Sequence, residues 1–274
     1  MLSLSRQGGR SYNEDAFGHW HDDRYVACVV ADGAGGHGGG DVAAAIVRDS
    51  VLAAFSRAPG LEPERLGEAI QQANLDVVAR QAAGGKLAAM RSTVVMAVLD
   101  LHAHAVAWAH CGDSRAYLFR GGLRVARTVD HSLVQQMVDG GMLDDESARL
   151  HPQRNLLLTA LGSIEPLPEV SLSAPLPLMV GDVLLLCTDG VWEPIGDARL
   201  LQLLQMARRP AEWMEHLDRE IKATAKPDHD NYTALALWVN EDEVEPGEGT
   251  RGNGVGGEPI TQLMPMAPSH TARS

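Results

Sequence analysis

Apolar positions along this chain follow two rhythms. Short runs rich in Val, Leu and Ala, bounded by Gly, Asp or Ser, predict strands at 25–31, 92–99, 105–111, 115–119, 123–127, 169–173, 182–187 and 233–239. Apolar residues three and four apart predict helices at 41–56, 64–82, 131–139, 197–206 and 211–224. Strands joined by turns as short as Gly121-Gly122 must pair antiparallel, because a parallel crossover needs about a dozen residues or more. Helices gathered before and after the strand blocks imply layers flanking paired sheets.

Composition adds boundaries to this pattern. No Pro/Gly/Ser-rich break interrupts residues 6–239 of the 274, so one domain over 1–240 is expected. Residues 241–274 hold six glycines, four prolines and six acids against two arginines, with no aromatic side chain. Such a segment buries too little apolar surface to offset its ordering entropy, so a disordered acidic tail is expected. Aromatics make up only 4% of the chain, which leaves Leu, Val, Ala and Met to fill the core. A net charge of -13 argues against nucleic acid or an anionic membrane as the main partner and favours basic sites on a partner protein. Neither a signal-peptide pattern nor an apolar run long enough to span a bilayer is present, so a cytoplasmic location is expected. Cys28, Cys111 and Cys187 fall inside strand patterns and read as small core residues.

The chemistry sits at the strand ends. VACVVADG reaches Asp32, VAWAHCGD reaches Asp113, VLLLCTDG reaches Asp189, and Asp230 in HDNYT precedes the last apolar run. A single such residue reads as a turn aspartate. Four in the same context point to a shared metal site, since carboxylates gathered without cations repel one another and resist desolvation. Oxygen ligands without histidine or thiolate partners favour magnesium, manganese or calcium over zinc. RSYNED adds Arg10, Glu14 and Asp15, and a guanidinium fork beside an acidic cage suits a phosphate.

RSYNED, VVADGAGGHGGG, STVV, CGDSRAYLFR, VDHS, LLLCTDGVWE and DNYT follow one another in this order from Arg6 to Val239. The series resembles the metal-dependent serine/threonine protein phosphatases of the 2C type, the PPM family, in particular its bacterial branch. The resemblance implies an α+β fold, a four-layer α/β/β/α sandwich of two antiparallel sheets flanked by helices, with metals in a cleft at one end. It implies two Mn2+ or Mg2+ ions bridged by Asp32, with Asp189 and Asp230 completing one ion and Glu14 with the Gly33 carbonyl serving the other. Asp113 would serve a third, weaker position, Asp15 would orient the attacking water, and Arg10 would bind phosphate oxygen.

One departure concerns the leaving group. Many eukaryotic members carry a histidine directly after the DG, where this chain has Ala34. His37 in GGHGGG is the nearest replacement as general acid; it reads equally as a brace for the glycine loop. That loop lacks the Lys followed by Ser or Thr of a P-loop. Residues 130–162 break the strand pattern with Asp144, Asp145 and Glu146 and read as a flap beside the site. His131 and His151 read as capping residues there.

The expected activity is hydrolysis of phosphoserine and phosphothreonine in proteins, with phosphoproteins and an opposing bacterial serine/threonine kinase as partners, by a monomer. A pseudophosphatase that binds phosphoproteins without turnover is the alternative. An aspartyl-nucleophile phosphatase would need a second acid at Ala34.

Overall fold

The computed structural model describes residues 1–35 and 38–240, so the expectations for His37 and for the tail lie outside the described residues. A five-stranded antiparallel sheet runs in the order β1 (Leu2–Arg6), β12 (Tyr232–Trp238), β11 (Val183–Cys187), β7 (Arg115–Arg120) and β8 (Leu123–Arg127). A seven-stranded sheet is built on β2 (Asp15–His21), β3 (Tyr25–Ala34), β5 (Val94–Asp100) and β6 (Ala105–Cys111). The two-residue strands β4 (Arg91–Ser92), β9 (Ser171–Leu172) and β10 (Leu176–Pro177) extend it. Gly121 and Gly122 both take positive φ, 55° and 77°, which lets a two-residue turn follow the strand twist between β7 and β8.

Helices α1 (Gly40–Arg57) and α2 (Pro63–Gln81) cover the outer face of the seven-stranded sheet, burying Val47, Val51, Leu66 and Ile70 against Val29, Met96 and Ala107. Between the sheets lie Val30, Val95, Trp108, Leu118, Leu184 and Leu235. The other face of the five-stranded sheet packs on α5 (Asp189–Ile195), α6 (Asp197–Met206) and α7 (Pro210–Thr224). These layers make the expected four-layer sandwich. Strand β5 is buried at every position because both of its faces meet a core.

Helices α1, α2, α6 and α7 begin and end within two residues of their sequence expectations, and β6, β8 and α6 match them at both ends. As expected, Leu, Val and Ala fill most of the core, and several of the few rings cluster together. Tyr117, Phe119, Trp213 and Trp238 form a chain of ring contacts 5.6 to 6.0 Å apart beneath the five-stranded sheet. The flap holds α3 (Leu133–Asp139) and α4 (Asp145–Arg149), the latter capped by the Asp144 side chain, which accepts from Ser147 N at 2.7 Å. His151 Nδ1 accepts from Gln153 N and His131 Nδ1 accepts from Gly112 N, so both brace loops, while Ser132 and Asp144 cap the helices of the flap. Cys28, Cys111 and Cys187 are buried and unpaired with one another, and burial raises all three thiols, Cys28 and Cys111 to about 12. No helix among the described residues is long and apolar enough to cross a membrane.

Candidate metal centre

Both sheets deliver carboxylates to one end of the sandwich. In the seven-stranded sheet, Asp15 opens β2 and stands directly opposite Asp32 on β3 in the antiparallel register. The backbone of Asp32 is tied down from three sides: Thr93 N donates to its carbonyl at 2.8 Å, Ser92 Oγ donates to the same oxygen at 3.0 Å, and its own N–H donates to Thr93 Oγ1 at 3.1 Å. In the five-stranded sheet, β11 stops at Cys187, and Asp189 is the first residue of α5; Asp230 and Asn231 lead into β12. Strand packing thus fixes each backbone, and only the side chains remain to adjust.

Asn231 clamps the two N- and C-terminal motifs together. Its Oδ1 accepts from Glu14 N at 2.8 Å, while its Nδ2 donates to Gln7 O at 2.7 Å and Tyr12 O at 2.9 Å. The same loop brings Glu14 against the start of α1. A Cβ on Gly40 would collide with Glu14 Oε1 and would stand 2.7 Å from the Gly33 carbonyl oxygen, so these two oxygens share one small space. A Cβ on Gly33 would in turn strike the Gly40 carbonyl, which is why two glycines face each other here.

The electrostatics are those of an acidic cage. Burial, followed by the charges of Asp15, Asp189, Asp113 and Asp230, holds the Asp32 carboxyl well above the usual carboxylate range. Burial and then Asp113 and Asp230 do the same to Asp189. Asp15 is pushed up to about 7, chiefly by burial, against the lowering effect of hydrogen bonds from Thr233 and Thr188. Asp113 also rises to about 7, through burial and then the charge of Asp130. Two carboxylate oxygens, Asp15 Oδ1 and Asp189 Oδ1, are buried without a hydrogen-bond partner among the described residues. Acceptors left this way are costly unless a cation meets them, and an all-oxygen set suits a hard divalent ion. Among the described residues no three His, Cys, Asp or Glu side chains close to coordinating distance of one point, so the acids are gathered at Coulombic range rather than clenched.

Arg10 reaches across this cage. Its Nη2 donates to Asp230 Oδ2 at 2.7 Å, which pairs the candidate phosphate binder with a candidate ligand. Asp113 acts on Asp189 and Asp32 through its charge; its carbonyl accepts from Trp192 Nε1 at 3.0 Å, and after burial its own carboxyl is raised by Asp130 and lowered by Arg115. The fold therefore brings together Glu14, Asp15, Asp32, Gly33, Asp189 and Asp230, with Arg10 on the rim and Asp113 at the flank. Sequence reading overlooked the supporting polar residues. Thr188 donates to Asp15 Oδ2 at 3.0 Å and accepts from Thr233 N at 3.0 Å, and Asn231 makes the clamp described above. Both stood next to a singled-out aspartate, and a buried Thr or Asn beside a ligand is the signal that would have found them.

The comparisons follow this geometry. The family model of protein phosphatase 2C matches residues 5–237. The serine/threonine phosphatase stp of Listeria innocua is 33% identical over 237 residues, which cover 84% of this chain and 92% of that protein. The crystal structure of the serine/threonine phosphatase Stp1 from Staphylococcus aureus superposes with a TM-score of 0.76 at 27% identity, over 88% of this chain and 94% of that one. The catalytic domain of the serine/threonine protein phosphatase PstP, solved in complex with two manganese ions, superposes with a TM-score of 0.71 at 28% identity, over 87% and 97%. With its family model spanning nearly all described residues and its acids gathered where the two sheets meet, the chain belongs to the protein phosphatase 2C family.

Proposed function

We propose that this chain hydrolyses phosphoserine and phosphothreonine esters in proteins, at a pair of divalent ions held by Asp32, Asp189, Asp230, Glu14 and the Gly33 carbonyl. The observation that carries the reading is the group of carboxyls held above their usual range by burial and then by one another's charge, with two oxygens among them that have no hydrogen-bond partner among the described residues. When bound, two such ions supply a water of lowered pKa and charge neutralisation for in-line attack on phosphorus. Asp32 would hold the ions from a fixed backbone, with acids of both sheets acting on its carboxyl. Asp15 is fixed through Oδ2 by Thr188, which leaves Oδ1 free to orient the attacking water. Arg10, released from Asp230, offers its fork to two phosphate oxygens and holds the phosphorus in line. Asp113 serves a third, weaker ion, and His37 protonates the departing alkoxide. Manganese or magnesium fits the oxygen set, and a serine/threonine kinase is the partner whose work the reaction reverses. The test is hydrolysis of a phosphothreonine peptide with manganese, with and without chelator. Release of phosphate that vanishes with chelator is expected; a chain that binds the peptide without releasing phosphate in manganese would defeat the reading.

A further inference from the structure

A cavity of about 390 Å³ opens between the flap and the five-stranded-sheet side of the body, and none of the residues named as candidate metal ligands lines it. Five arginines line it: Arg115, Arg124, Arg127, Arg149 and Arg154. That is a dense gathering in a chain with only 23 basic residues and a net charge of -13.

The acids of the cavity satisfy these arginines unevenly. Arg115 is fully engaged: it makes a bidentate pair with Asp130 at 2.8 and 2.6 Å, and its Nη1 reaches Tyr117 Oη and Asp197 Oδ1. Arg149 is held by Glu146 and the Glu193 carbonyl, and Arg154 by Glu193. Asp197 is shared among Arg115, Arg124 and Arg127, as well as the Tyr117 hydroxyl. Arg127 is left over. Its side chain is only 13% exposed, yet its nearest acceptors are Asp197 Oδ2 at 3.5 Å and Asp145 Oδ1 at 3.9 Å, and it makes no hydrogen bond with another described residue. A largely shielded guanidinium with empty donors is costly until something fills them. Planar forks facing a cavity fit a tetrahedral oxyanion.

We propose that this cavity binds a phosphate dianion, free or as a phosphate monoester, between Arg127, Arg124 and Arg149. The ligand would join the two sides of the cavity, because Arg124 and Arg127 belong to β8 of the body and Arg149 to α4 of the flap. It would also be felt at the metal centre. Arg115 stacks its guanidinium 3.5 Å from the Trp192 ring, and that indole holds the Asp113 carbonyl.

The test titrates the manganese-loaded full chain with inorganic sulfate, a stand-in for phosphate that leaves manganese in solution. Melting temperature and inhibition of 4-nitrophenyl phosphate turnover are read in parallel at constant ionic strength. The cavity predicts a saturable rise in melting temperature whose apparent affinity falls at least tenfold in Arg127→Gln and is unchanged in Arg10→Ala. Competitive inhibition at the metal centre should show the opposite dependence, weakened by Arg10→Ala and indifferent to Arg127→Gln. Asp197→Asn removes the acid that competes for the same arginines, so it should tighten sulfate binding, and it serves where Arg127→Gln fails to fold. No saturable rise in the wild type, an unchanged response in Arg127→Gln, or loss of the response in Arg10→Ala would each overturn the proposal. A peptide phosphorylated on two threonines identifies the source. A lower KM than its singly phosphorylated counterpart, lost in Arg127→Gln, places the second phosphate of a substrate in the cavity; equal KM values with the sulfate response intact assign it to free phosphate esters. Because the melting readout needs no turnover, failure of the catalytic reading would leave it standing, and failure of the cavity would leave catalysis untouched.

Discussion

Arg10→Ala should tighten manganese activation while weakening turnover. In the structure the arginine has one partner for its fork, Asp230 Oδ2 at 2.7 Å, in a pair whose side chains are 54% and 35% exposed. An ion pair this open is worth about 0.2 to 1 kcal/mol. Removing it frees Asp230 for a cation by that amount, so the manganese concentration for half-activation should fall by a factor of about 1.4 to 5. The same substitution deletes a charge-assisted contact to phosphate, worth roughly 1.5 to 3 kcal/mol, so kcat/KM at saturating manganese should fall about 10- to 150-fold. Arg10→Lys should recover part of the second effect only, since a point charge lacks the fork. The assay is a manganese titration of phosphothreonine-peptide hydrolysis for each variant, followed by a substrate titration at saturating metal. Weaker manganese activation in Arg10→Ala would refute the competition for Asp230. Unchanged kcat/KM would return Arg10 to the status of a surface ion pair.

Asp189→Asn should abolish manganese-dependent turnover and, in chelator, raise the melting temperature, because it relieves Asp113, Asp230 and Asp15 of a like charge. Raised carboxyl pKa values mean that the metal-free native state holds protons more tightly than the unfolded chain. Their contribution is therefore complete below about pH 4 and lost as pH rises through about 7, the value for Asp15 and Asp113, so the melting advantage of Asp189→Asn in chelator should widen over that interval. Asn231→Ala removes three hydrogen bonds from a nearly buried side chain and should cost roughly 2 to 4 kcal/mol in denaturant unfolding, with manganese activation weakened as the Glu14 loop loosens. His37→Ala should slow peptide hydrolysis about 10²- to 10⁴-fold while sparing 4-nitrophenyl phosphate, whose leaving group needs no proton; equal losses on both would reject the acid role.

Periodicity made the long helices and the hairpin strands legible, because each has one face against a core and one toward solvent or a second core. Three kinds of element escaped it. Strand β2, with the sequence DAFGHWH, is half-buried along most of its length and offers neither alternation nor an apolar run, so only its pairing with β3 makes it a strand. Helix α5 starts at Asp189 itself, carries Pro194, and is buried on nearly all sides, so no amphipathic stripe marks it. Strand β10 is two residues long and exists as an addition to the edge of β6, whereas β9 falls within the strand expected at 169–173. The site was legible in its acids, since strand-end aspartates beside glycine are unusual in number and context. Its supports were not, because a threonine or asparagine has no signature until the fold shows what it holds. The cavity arginines were equally silent: they are scattered from Arg115 to Arg154, and only the approach of α4 to β8 makes them neighbours.

The two sheets contribute matching halves of one acidic cage, Asp15 and Asp32 from one and, at the strand ends of the other, Asp189 and Asp230. A cation held by both halves acts as a rivet through the mouth of the sandwich, and the sheets cannot part without releasing it. Occupancy then lengthens the life of the folded chain by mass action, adding about 2.7 kcal/mol when free metal stands at 100 times its dissociation constant. In a cell short of manganese, the enzyme would lose more than its activity. The emptied mouth would spring open more often under the repulsion of its own acids, and proteases would find the chain sooner, so that metal supply would set how much phosphatase is present as well as how fast it works.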